Sequence, residues 1–185
     1  MPLNIPNILT LARIFILPFL LWMIYQDSAL WAYGAFVVYA LSAFTDYLDG
    51  YLARKLNQTS AFGTFIDPIA DKIFVLGVLL VMIDLHVLSG LWLIAVLIIV
   101  IRELLVSGLR EFLGPHNIKL PVTQLAKWKT TIQMLALALL ILAPAFPLAL
   151  FAGKITLIAA AIITLITGMQ YLASGLKAMK GLDEQ

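Results

Sequence analysis

The chain has 185 residues, of which 63% are hydrophobic, 12% charged and none cysteine, and its formal net charge is +2. A soluble domain of this length carries about twice that share of charge, so the composition predicts an integral membrane protein. So small a net charge argues against nucleic acid as a partner, and a chain without cysteine has neither disulfides nor thiolate metal sites.

In chain order, apolar runs predict six membrane spans, each needing about 20 residues. Their cores are Ile8–Tyr25, Leu30–Tyr47, Ile66–Leu85, Val87–Ile101, Ile132–Ala149 and Ile155–Leu176. The expected fold is therefore an all-α integral membrane bundle of six transmembrane helices, forming one domain over residues 1–185. Nothing before Ile8 has the basic start of a cleavable leader. The first dozen residues read instead as a short N-terminal interfacial amphipathic segment, interrupted by Pro2 and Pro6. Asn7, Thr10 and Arg13 recur every third position and so share a helical face. That face either anchors the segment, with Arg13 reaching the headgroups, or turns towards a ligand.

QDSA, DLH and APAFP make short turns after the first, third and fifth spans, whereas ARKLNQTSAFGT and REFLGPHNIKLPVTQ are longer and polar. Eleven of the twelve basic residues fall at one set of span ends, and Lys154 stands alone at the other. Basic residues stay in the cytoplasm, which predicts both termini and the longer loops on that side of the membrane.

The second and third spans carry the unusual chemistry. Asp46 and Asp49 lie three apart beside Gly50 and Ala53, while Gly63, Asp67 and Asp71 follow one another at intervals of four. Each set forms a helical stripe of two carboxylates among small residues. Two antiparallel helices could oppose these stripes, and four carboxylates at close range need a compensating cation. At an effective dielectric of about 20, two like charges about 4 Å apart repel by about 4 kcal/mol. An all-oxygen donor set suits hard divalent ions, and a pair of them suits transfer at phosphorus. Asp67 followed by Pro68 also has the form of a helix N-cap with proline at the first position.

Asp46-x2-Asp49-Gly50-x2-Ala53-Arg54-x8-Gly63-x3-Asp67-x3-Asp71 resembles the full signature of the CDP-alcohol phosphotransferase family. The resemblance implies transfer of a substituted phosphoryl group from a CDP-linked donor to an alcohol, with release of CMP. It implies that Asp46, Asp49, Asp67 and Asp71 hold two divalent ions, Mg2+ or Mn2+, and that Asp71 takes the hydroxyl proton. Gly50 and Ala53 would leave room for the cytidine nucleotide, Arg54 would contact its phosphate and Gly63 would permit close packing beside it. Asn7, Thr10 and Arg13 would join the donor site. A homodimer is implied as well.

Outside the signature, IRELLVSGLREF brings Arg102, Glu103 and Arg110, and LAKWKTTIQM brings Lys127 and Lys129. These cations could bind the phosphate of an anionic acceptor or anchor the chain to anionic lipid. Together with NIPNILTLAR, the two segments resemble the branch of the family that uses CDP-diacylglycerol and sn-glycerol 3-phosphate in the bacterial inner membrane. Ala126 stands where that likeness would have glycine. Competing readings are a different acceptor, such as inositol phosphate or serine, and a divalent-cation transporter.

Overall fold

A computed structural model of the chain describes the backbone of residues 4–55, 60–116, 118 and 123–183, and their side chains except those of Ile5, Tyr47, 49–54 and Asp183. The described residues form six helices and no strand: α1 (Ile5–Tyr25), α2 (Ala29–Lys55), α3 (Ala61–Asp84), α4 (Trp92–Leu113), α5 (Gln124–Ile141) and α6 (Pro147–Asp183). Four of them, α1, α2, α4 and α6, are long and apolar enough to cross a membrane. Many of their large apolar side chains point outward, among them Phe15, Leu30, Leu104 and Leu165. Hydrocarbon rather than water suits such a surface.

The other two helices were also expected as spans, and their sequences differ in carrying charged or polar residues near their starts. Asp67, Asp71 and Lys72 occupy the first half of α3, and Lys127 and Lys129 that of α5, with Gln133 just beyond.

The chain falls into two compact units, residues 1–88 with 137–153, and residues 89–136 with 154–185. In the first, α1 packs against both α2 and α3. Leu20, Ala35, Val78, Leu79 and Met82 are sealed from solvent, and the Tyr39 and Phe74 rings stack 5.5 Å apart. Gly34 admits the Met23 side chain, whose Cε would lie 2.7 Å from any Cβ there. The Tyr25 hydroxyl donates to Asp84 over 2.8 Å, tying the end of α1 to the end of α3. Two turns at this end use left-handed backbone, at Asp27 (φ 41°) and His86 (φ 58°). Asp and His tolerate that conformation better than most residues.

In the second unit, Val106 of α4, Ala126 of α5 and Tyr171 of α6 meet in a buried cluster. The Ala126 methyl, standing where glycine was expected, is thus part of the packing. Lys154 lies over the Trp92 ring, 5.2 Å from its centroid, an amphipathic pairing at the starts of α6 and α4.

Three expectations need correction. Among the described residues no separate interfacial segment precedes the first span, because α1 begins at Ile5 and continues to Tyr25. Pro6 sits in its first turn, where a missing N–H costs nothing. The fourth helix starts at Trp92 rather than Val87, since Gly90 (φ 62°) still belongs to the turn, and it runs on to Leu113. Arg110–Leu113, read as the opening of the long polar loop, are therefore helical, whereas Lys127 and Lys129 lie at the start of α5 as expected.

Candidate active site

The face shared by Asn7, Thr10 and Arg13 turns inward, and all three side chains are buried. Each reaches a residue of the acidic region. The Asn7 side chain is hydrogen-bonded to Ser60, with its amide nitrogen 2.9 Å from Oγ. Thr10 Oγ1 donates to Asp67 Oδ1 over 2.8 Å, with the Pro6 carbonyl as an alternative acceptor at 3.1 Å. One guanidinium nitrogen of Arg13 donates to both Asp46 and Asp71, the latter at 2.5 Å.

Arg13 therefore does not reach the headgroups. Its side chain is 4% exposed beneath carboxylates that are 42% (Asp46) and 53% (Asp71) exposed. A buried guanidinium demands paired acceptors, and the two acids supply them while keeping part of their surface open.

The start of α3 is set by Ser60, not by Asp67. Ser60 Oγ accepts the Gly63 N–H at 2.9 Å and so caps the helix. Asp67 and Pro68 lie well inside α3, which leaves Asp67 free of a capping duty. The same Ser60 hydroxyl meets Asn7, so a single oxygen joins α1 to the first turn of α3. Gly63 is needed for this approach, since a Cβ there would lie 2.6 Å from Asn7 Oδ1. Sequence reasoning missed Ser60, although a serine three residues before that glycine has the form of an N-cap.

Asp46 and Asp71 thus converge on Arg13, and Asp67 of α3 is held by Thr10 of the same helix, α1. Asp49, Gly50, Ala53 and Arg54 continue α2 beyond Asp46, and apart from that they lie outside the described residues. Among the described residues no three acidic or histidine side chains converge as a ready cage for an ion. The donor set still fits a hard cation. Its groups are carboxylate and hydroxyl oxygens, and a positive charge already bridges two of them. Beside the acids, a groove of about 270 Å³ between α1 and α2 is walled by Leu9, Ile16, Val38 and Leu41, with Arg13 and Thr45 at its polar edge.

The second unit holds the other predicted cations. Lys129 is buried and paired with Glu103, and Arg102 bonds the same carboxylate at 3.2 Å. Arg110 reaches the Tyr171 hydroxyl at 3.4 Å. Lys127 does not share this grouping and is exposed. Two residues apart on a helix, Lys127 and Lys129 face nearly opposite ways. Tyr171 stands among the arginines.

A sequence model of the CDP-alcohol phosphatidyltransferase family matches residues 3–169. The chain belongs to that family. Among its relatives is a protein of Rickettsia typhi, 40% identical over 91% of this chain and 94% of its own length. Another, from Pseudomonas fluorescens, is 38% identical over 96% of this chain and 93% of its own. One from Escherichia coli is 36% identical over 94% and 96%. All three are named CDP-diacylglycerol–glycerol-3-phosphate 3-phosphatidyltransferase.

Proposed function

We propose that this family member transfers a phosphatidyl group from CDP-diacylglycerol to sn-glycerol 3-phosphate, giving phosphatidylglycerophosphate and CMP. The observation that carries this reading is the near full-length similarity to enzymes of that name. In our reading the acceptor oxygen forms a new bond to the lipid-bearing phosphorus, and the bridging P–O bond to CMP breaks. CMP leaves with the electron pair, and Asp71 takes the hydroxyl proton. Asp71 suits that task because its carboxylate is about half exposed at an otherwise packed site.

Asp46, Asp49, Asp67 and Asp71 would hold two divalent ions, Mg2+ or Mn2+. Bound there, the ions would neutralise the donor diphosphate and the departing nucleotide. Asn7, Thr10, Arg13, Gly50, Ala53, Arg54 and Gly63 would shape the donor site. A guanidinium suits a phosphate, and the apolar α1–α2 groove suits one acyl chain of the donor. Arg102, Arg110 and Lys129 would receive the acceptor phosphate. Lys127, on another face of α5, fits an anchor to anionic lipid better.

The reading further takes residues 1–185 as one membrane domain of six spans in the bacterial inner membrane. Both termini and the site would lie on the cytoplasmic side, and two copies would form a dimer. The distribution of lysine and arginine supports that orientation.

The test is CMP release by the purified protein in detergent with CDP-diacylglycerol, Mg2+ and a panel of acceptors. Release with sn-glycerol 3-phosphate, well above that with inositol phosphate or serine and abolished by a chelator, is the expected result. No release with glycerol 3-phosphate overturns the reading.

A further inference from the structure

Arg102 and Arg110 lie eight residues apart on α4, about 12 Å along the helix axis. Their guanidiniums nevertheless both lie against one ring. The carbon of Arg102 lies 5.5 Å from the centroid of Tyr171 and that of Arg110 lies 5.4 Å from it. Tyr171 is 3% exposed, and its hydroxyl accepts from Arg110. Glycines flank it on the same face of α6. At Gly168 a Cβ would come within 2.9 Å of Arg102 Cγ, and at Gly175 within 2.4 Å of Leu109 Cδ2. The bare backbone at Gly168 lets the Arg102 stem cross α6 and lay its head on the ring.

Like charges do not gather without cause. Glu103 pairs with Lys129 and Arg102, while Arg110 rests on Tyr171, so among the described residues of this cluster three cations exceed the one carboxylate by two charges. An aromatic face attracts cations through its quadrupole and carries no net charge. A second carboxylate in place of Tyr171 would collect the arginines equally well, but it would cancel charge that an incoming anion needs. Two surplus positive charges match a phosphomonoester dianion.

We propose that Tyr171 is a positioning residue for the acceptor. Its ring and hydroxyl hold the Arg102 and Arg110 guanidiniums together, so that with Lys129 they bind the phosphate of the incoming alcohol. This rests on the phosphatidyl transfer proposed above.

The experiment is steady-state kinetics of CMP release by the full chain in detergent, with the KM of each substrate measured separately. Y171L removes the π face and the hydroxyl. It should raise the KM for sn-glycerol 3-phosphate about tenfold or more, with kcat and the KM for CDP-diacylglycerol within about twofold of wild type. Inhibition by inorganic phosphate should weaken in parallel. Y171F keeps the ring and should stay within about threefold of wild type. Should Y171L fail to fold, Tyr171→Met, which fills similar space without a π face, takes its place under the same criteria.

An unchanged glycerol 3-phosphate KM in the folded variant overturns the proposal. So does an equal change in both KM values, or a Y171F defect as large as that of Y171L. A wild-type protein inactive towards glycerol 3-phosphate overturns the proposed function itself, whatever Tyr171 does.

Discussion

Asp71 combines two tasks that one substitution can separate. In the resting protein its carboxylate accepts a hydrogen bond from Arg13, and in the proposed reaction it accepts a proton. Asp71→Asn keeps an oxygen for Arg13 but removes the base. CMP release should fall by about 10²–10⁴-fold, while the variant elutes from size exclusion as the parent does. Activity within tenfold of wild type would remove Asp71 from the chemistry. The spacing of the acids was legible in the sequence because it is local and helical, and the inward face of Asn7, Thr10 and Arg13 was visible as a possibility. Their partners were not, because they lie 33 to 58 residues away in the chain. Periodicity shows which residues share a face and never what faces them. The split between Lys127 and Lys129 was legible from helical spacing alone, yet both were read as one basic cluster.

At the scale of elements, the start of α3 shows how closely its packing and capping are joined. Ser60, Gly63 and Asn7 form one small assembly in which cap, glycine and interhelical hydrogen bond depend on each other. Gly63→Ala drives a methyl against the Asn7 amide and should cost about 1–3 kcal/mol, read as a lower Tm in detergent. Adding Asn7→Ala relieves the clash, so the double variant should lose less than the sum of the single losses. Strict additivity would mean that the two positions do not touch. Helix existence was legible from the apolar runs. Helix ends were less so: Val87 was read into the fourth span and Arg110–Leu113 into the loop after it, because hydropathy follows apolar character and not the backbone. Turn chemistry fared better, and QDSA, DLH and APAFP all separate helices in the structure.

For the molecule as a whole, the decisive quantity is which side of the membrane each end of each helix occupies. The chain has no cysteine, so single reporters can be added without removing any native thiol. Ser28→Cys and Ser89→Cys lie at the turns that follow α1 and α3, and His116→Cys lies just beyond α4. In intact cells an impermeant maleimide should modify Cys introduced at 28 and 89 but not at 116, and all three once the membrane is opened. The reverse pattern would invert the orientation that the basic residues predict. The guanidinium beneath Asp46 and Asp71 also bears on any ion titration of the resting protein. On the proposed two-ion reading, a dication that bound Asp46 and Asp71 would compete with Arg13 for their oxygens. The measured affinity would then fall below the intrinsic one by the cost of rehousing a stranded positive charge.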